Sequence, residues 1–94
     1  MFALRVKDRK ENMSKKVLKF SASWCQPCKM LSKTIEGMTM ETPIEEIDID
    51  EQEELAIQYQ IRSVPTLVML DDDKEVKRVT GMQSSTQLEA WING

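Results

Sequence analysis

Two cysteines stand in one tetrapeptide, Cys25-Gln26-Pro27-Cys28, and the chain has no histidine at all. A thiolate, not a thiol, attacks a disulfide, so two thiols at this spacing suit exchange chemistry. As a purely structural link, a four-residue loop would stabilise the fold by only about 2 kcal/mol in the chain-entropy model, less any strain. A bond placed there is better suited to opening and closing than to stapling. The missing histidine excludes Ser–His and Cys–His hydrolytic arrangements and the usual His-containing zinc sites. Another use of the pair is half of a two-chain Cys₄ zinc site, but the chain holds no second Cys pair to complete one.

The elements that must position this pair follow from local pattern. Val17–Ala22 (VLKFSA) reads as a strand, rich in β-branched and aromatic residues and free of breakers. Residues 26–36 read as a helix with Met30, Leu31 and Ile35 as core positions. Pro27 falls in its first turn and Gly37 at a left-handed carboxyl cap. Cys25 therefore sits where free N–H groups and the helix dipole favour negative charge, which lowers a thiol's pKa. Cys28 lies one turn later. The expected division of labour makes Cys25 the exposed nucleophile and Cys28 the thiol that resolves a mixed disulfide, with Pro27 stiffening the turn between them.

Beyond this unit, Ile44, Ile47 and Ile49 mark a second strand, and Asp50 with Glu53 fits a capping box opening a helix through Leu55, Ala56 and Tyr59. Thr66–Leu70 (TLVML) has the continuous apolar character of a strand buried on both faces. Asp71-Asp72-Asp73-Lys74 reads as a solvated turn, not a metal site, and Glu75–Thr80 as the returning hairpin strand ended by Gly81. Ser84 with Gln87 repeats the capping box before a helix whose apolar face is Leu88, Trp91 and Ile92. The order from Lys16 onward is β-α-β-α-β-β-α. It implies an α/β fold with a small mixed sheet of about four strands and helices on both faces.

The 94 residues fit one domain, with 40% apolar and 31% charged residues. The net charge of −3 divides into an excess of four positive charges over residues 1–16 and seven negative charges over the remainder. An acidic body argues against nucleic-acid binding, where phosphates need clustered Lys and Arg. No apolar run is long enough to span a bilayer, and no secretory apolar stretch opens the chain, so no membrane role and a cytoplasmic location are expected. Residues 1–15 read as a basic tail or a short edge strand through Phe2, Leu4 and Val6, and residues 16–94 as the working domain.

With these residues in place, the chain resembles the thioredoxin family. Trp24-Cys25-Gln26-Pro27-Cys28-Lys29 after VLKFSAS resembles that family's active site, and Val64-Pro65-Thr66, thirty-six residues after Cys28, resembles the loop whose proline is cis and packs on the disulfide. Ile49-Asp50, the strand Thr66–Leu70 and Gly81 fall where the family places them. The resemblance implies a thioredoxin fold and a monomeric protein-disulfide reductase working through a redox-active Cys25–Cys28 disulfide with no bound cofactor. Its implied partners are disulfide-containing proteins and a thioredoxin reductase or equivalent donor. Trp24 is expected to shield the disulfide, Gln26, Pro27, Val64 and Pro65 to support it, and Met82 to border the substrate groove. A glutaredoxin-like, glutathione-dependent enzyme is the nearest alternative, although Gly81-Met82 stands where such proteins carry Gly-Gly-x-Asp.

Several positions depart from the family pattern. Gln26 stands where thioredoxins usually have Gly, and Lys33 where their helix has an internal proline. Six residues before Cys25, where the family buries an acid, this chain has Lys19, and where the family supplies a lysine it offers Glu46. A buried ammonium without a partner is costly, so Lys19 is expected to pair with Glu46 or lose its proton. Paired and charged, it would favour a nearby thiolate; neutral, it would serve as a base toward Cys28. A third reading has it snorkel to solvent and do nothing.

Overall fold

Single-residue steps along one strand send side chains to opposite sides of a sheet, and the fold is organised around that alternation. The computed structural model describes residues 15–39 and 42–93. Its elements are β1 (Lys15–Ser21), α1 (Gln26–Glu36), β2 (Ile44–Asp48), α2 (Glu53–Gln58), β3 (Thr66–Asp71), β4 (Lys74–Thr80) and α3 (Ser85–Asn93). The expected element order is met. The tail or edge strand read over residues 1–15 lies outside the described residues, apart from Lys15, which opens β1.

The strands form one sheet in the order β2-β1-β3-β4 among the described residues. β1 pairs parallel with β2, in a register that sets Lys19 beside Glu46 and Phe20 beside Ile47. β1 pairs antiparallel with β3, and β3 antiparallel with β4. On one face, Val17, Leu67 and Met69 pack with Leu31 of α1 and Leu88 of α3, joined by Ile35, Trp91 and Ile92. On the other, Leu18, Phe20, Ile47, Val68 and Leu70 pack with Leu55 and Tyr59 from the α2 side. The Phe20 and Tyr59 rings lie 5.7 Å apart and tilted, a favourable aromatic arrangement. Thr66 to Leu70 are all buried, as expected of a strand covered on both faces.

Local chemistry departs from expectation at several element ends. Met30 is 59% exposed and is not core. The inward stripe of α1 runs Cys28, Leu31, Ile35, at spacings of three and four, and Met30 lies a third of a turn off it. Gly37 closes α1 in right-handed geometry (φ −84°, ψ 0°), its N–H donating to the Lys33 and Thr34 carbonyls, so no left-handed cap is needed there. Instead Gln60 takes the left-handed conformation (φ 55°) after α2, while the Ile61 N–H reaches back to the Ala56 carbonyl. Asp50 does not cap α2. Gln52 occupies the N-cap without a side-chain bond, and Asp48 accepts the Asp50 N–H at 2.8 Å in a local turn. The Ser84–Gln87 capping box forms in both directions: Gln87 N–H donates to Ser84 Oγ, and Ser84 N–H to Gln87 Oε1. Asp72 and Asp73 both have positive φ, which gives the β3–β4 hairpin the twist of a two-residue primed turn.

Candidate active site

The strand-to-helix junction after β1 places the cysteines. Cys25 is the N-cap of α1, with extended backbone (φ −95°, ψ 109°), and its Sγ accepts the Cys28 N–H at 3.2 Å. That bond engages one of the donors a helix start leaves free, and it requires the residue before α1 to carry an acceptor. Pro27 lies in the first turn, where no N–H is missed. The two cysteines form a disulfide with Cα atoms 5.3 Å apart, within the normal range for such a bridge. With both sulfurs engaged, neither is a free thiolate for zinc in this state. Among the described residues no group of three or more His, Cys, Asp or Glu side chains could hold a metal ion.

Cys25 differs from expectation in one respect. In the disulfide form it is 4% exposed, almost as buried as Cys28 at 2%. It clusters with Ala22 and Cys28, and Ile49 and Val64 pack against them. Its Sγ lies 3.8 Å from the Val64 carbonyl oxygen. The Val64–Pro65 peptide is cis, as the resemblance implied. The Pro65 carbonyl accepts the Gly81 N–H at 2.8 Å, tying this loop to the segment beyond β4, and Gly81 has a positive φ of 96° that favours glycine. Met82 follows, 42% exposed. Trp24 stands at the surface, 66% exposed, and its indole N–H donates to Asp50 Oδ2 at 3.0 Å. Asp50 is thus a site residue that sequence reasoning assigned to helix capping. The discoverable signal was Asp48, which takes up the local turn, while the Asp50 carboxylate accepts from Trp24.

Lys19 lies on the α1 face of β1 and is 2% exposed, so it does not snorkel. Its Nζ donates to Glu46 Oε2 at 3.3 Å, and Ser21 Oγ donates to the same oxygen at 2.9 Å. The expected pair with Glu46 therefore forms. Glu46, Ser21 and Ser32 also line a cleft of about 430 Å³ onto which Cys28 opens, with Lys29 and Asp48 on its walls.

A buried disulfide at a helix start, beside a cis-proline loop and a surface tryptophan, defines a thiol–disulfide oxidoreductase of α/β type. Comparison with known proteins agrees. The Thioredoxin family model matches residues 2–94. The chain is 40% identical over 80 residues to the thioredoxin of Chlamydia trachomatis, covering 82% of this chain and 78% of that one. It is 34% identical over 80 residues to the mitochondrial thioredoxin of Mus musculus, covering 81% of this chain and 48% of that one. The structure superposes on a point-mutant thioredoxin from Halobacterium salinarum with a TM-score of 0.80 and 33% identity, covering 94% of this chain and 80% of that one. On Fasciola hepatica thioredoxin the TM-score is 0.79 at 29% identity, covering 95% and 86%.

The chain belongs to the thioredoxin family, and its activity is protein thiol–disulfide exchange through a Cys-x-x-Cys disulfide. The family match separates it from the glutaredoxin-like alternative. Membership brings, in general terms, disulfide-containing substrates and a reductase that returns electrons. Among the described residues no helix is long and apolar enough to cross a membrane.

Proposed function

We propose that Cys25 is the attacking thiol and Cys28 the resolving one in a monomeric, cytoplasmic protein-disulfide reductase. The observation that carries this assignment is the N-cap position of Cys25, whose sulfur receives the Cys28 N–H. In the reduced protein, that donor and the helix dipole would favour negative charge on the Cys25 sulfur. The Cys25 thiolate attacks one sulfur of a substrate disulfide, the substrate's S–S bond breaks, and its other sulfur leaves as a thiolate that takes up a proton. Cys28 then loses its proton and attacks Cys25 in the mixed disulfide. The second substrate thiol is released and the Cys25–Cys28 bond closes. Two electrons from a thioredoxin reductase or equivalent donor restore the dithiol, with no cofactor bound by this chain.

Gln26 and Pro27 shape the turn between the sulfurs, and Trp24, Val64 and Pro65 flank the surface a substrate would meet. Residues 16–94 serve as the thioredoxin-like domain, with the basic stretch before it dispensable. Deletion of residues 1–12 is therefore expected to leave activity within about threefold and to cost about 1 kcal/mol of stability at most, the usual scale of edge changes. Failure of the shortened chain to fold would show that this stretch belongs to the domain.

The roles are tested on the reduced protein. Cys25 should alkylate faster than Cys28 with iodoacetamide at neutral pH. Cys25→Ser should abolish reduction of insulin, and Cys28→Ser should accumulate mixed disulfides with substrate. Equal alkylation rates, or trapping by Cys25→Ser in place of Cys28→Ser, would reverse the assignment.

A further inference from the structure

The sheet face under α1 carries a charge that apolar packing does not explain. Lys19 sits within β1, the strand flanked by β2 and β3, and is 2% exposed, with Glu46 as its ion-pair partner across the parallel register. The two members of that pair are solvated very differently: the Lys19 side chain is 3% exposed and that of Glu46 61%. Water screens the carboxylate on its outer side, whereas the interior screens the ammonium poorly. Seen from the protein interior, the pair is not neutral. Its positive end lies in the interior beneath α1 and its negative end reaches the surface.

Cys28 adjoins this pair across two neighbouring clefts. Glu46 and Ser32 line the cleft onto which Cys28 opens, and the same two residues line the neighbouring cleft that contains Lys19. Ser21, two residues along the same face of β1, borders the Cys28 cleft and holds the Glu46 carboxylate. Besides Glu46, the charges lining the Cys28 cleft are Lys29 and Asp48, of opposite sign, and Glu36 of α1 lines the cleft that contains Lys19. Asp50 is engaged by the Trp24 indole.

We propose that Lys19 is a positioning residue of electrostatic kind, which stabilises the ionised dithiol and makes the Cys25–Cys28 disulfide more oxidising than a neutral residue at 19 would. On reduction the S–S bond breaks and takes two electrons from an external thiol reductant. One sulfur binds a proton from solvent and the other stays as a thiolate. A cation that favours the thiolate stabilises the reduced product, and the equilibrium moves toward it. Glu46 accepts from the Lys19 ammonium, and Ser21, donating to the same oxygen, helps fix that carboxylate in place. The inference rests on the Cys25–Cys28 couple proposed above.

The test is a redox titration of the full chain in glutathione and dithiothreitol buffers, combined with pH titration of the thiolate absorbance, for the parent and three variants. Lys19→Met should raise the apparent thiol pKa by about one unit and shift the equilibrium about tenfold toward the disulfide, about 30 mV for a two-electron couple. Lys19→Gln, which keeps a donor for Glu46, should do the same. Glu46→Gln keeps an acceptor for Lys19 but removes the negative charge, so it should shift the equilibrium two- to threefold the other way. Lys19 variants that leave thiol pKa and equilibrium within twofold of the parent would overturn the inference. So would Lys19 and Glu46 variants that move the couple in the same direction, as a packing disturbance would. A parent whose cysteines show no reversible couple would instead overturn the reading of the site itself.

Discussion

The two faces of the sheet are cut from the same strands but filled differently. On the α2 face, Leu18, Phe20, Ile47, Val68 and Leu70 make an apolar cluster extended by Leu55 and Tyr59. On the α1 and α3 face, Val17, Leu67 and Met69 meet Leu31 and Leu88, but Lys19 and Ser21 interrupt the apolar surface on the cysteine side. The contrast alternates residue by residue along β1, Leu18, Lys19, Phe20, Ser21, all of them buried. An apolar side chain at 19 would avoid the cost of desolvating an ammonium, so stability alone does not account for the lysine. One face is spent on holding the fold and the other shares that task with the chemistry. The rim of β4 repeats the division. Lys77 points to the α3 side, donating to the Trp91 carbonyl and lying over its ring, while Arg78 points to the α2 side, donating to the Tyr59 carbonyl at 2.9 Å.

The sharpest way to test this contrast is to mutate neighbours on opposite faces. Phe20→Ala should lower the unfolding free energy by about 3–5 kcal/mol in urea denaturation, because the ring is fully buried and leaves a cavity. Lys19→Met, one residue away, should change it by no more than about 1 kcal/mol in loss and up to about 2 kcal/mol in gain, since the desolvated charge is removed and the Glu46 carboxylate left behind is 61% exposed, so no buried charge stays unpaired. A loss at Lys19→Met comparable to that of Phe20→Ala would mean that both faces are structural in the same sense. At the hairpin that carries both faces to the edge, Asp73→Gly should stabilise by about 0.5 kcal/mol, because glycine accepts the positive φ of 70° without steric cost; thermal unfolding of the two proteins checks this.

The smallest effect belongs to the rim. Arg78 hydrogen-bonds Glu75 at 2.6 and 2.8 Å and holds its carboxyl below the ordinary range. A carboxylate with a depressed folded pKa stabilises the fold at pH above its unfolded value. That contribution is lost as pH falls through the folded value, so it is complete at neutral pH and disappears in acid. Both side chains are about one-third exposed, so solvent screening keeps the pair to a few tenths of a kcal/mol. Glu75→Gln should cost that much at pH 7 and nothing at pH 2, by urea denaturation at the two pH values.

Element order and the cysteine helix start were legible because each rests on a short-range rule: alternation in VLKFSA, a proline tolerated at a helix start. The Lys19–Glu46 pair, 27 positions apart, was legible only through the family resemblance, which set the two residues at positions where the family pairs an acid with a lysine. What was not legible depends on geometry between elements. Met30 and Leu31 are equally apolar, and only the direction of α1 relative to β1 determines which one faces inward. Gly37 and Gln60 exchange the expected backbone roles because a helix can close by tightening its last turn, which makes no demand on residue type. Asp50 satisfies the local pattern of a cap, yet its partner is Trp24, twenty-six positions away. Burial of Cys25 in the disulfide state comes from Ile49 and Val64, which no local window contains.

The sheet register also bears on how the chain assembles. β3 and β4 are joined by a two-residue turn, so their ladder closes with little loss of chain entropy, whereas the β1–β3 ladder must bring positions 15–20 against 66–71. The hairpin is therefore expected to form early and β1 to dock late, which φ-value comparison of Asp73 and Leu18 variants would read out directly. β1 is also the strand that runs into Cys25. On this route the helix start that carries Cys25 gains its packed setting only in the last stage of folding, after the β3–β4 hairpin has formed.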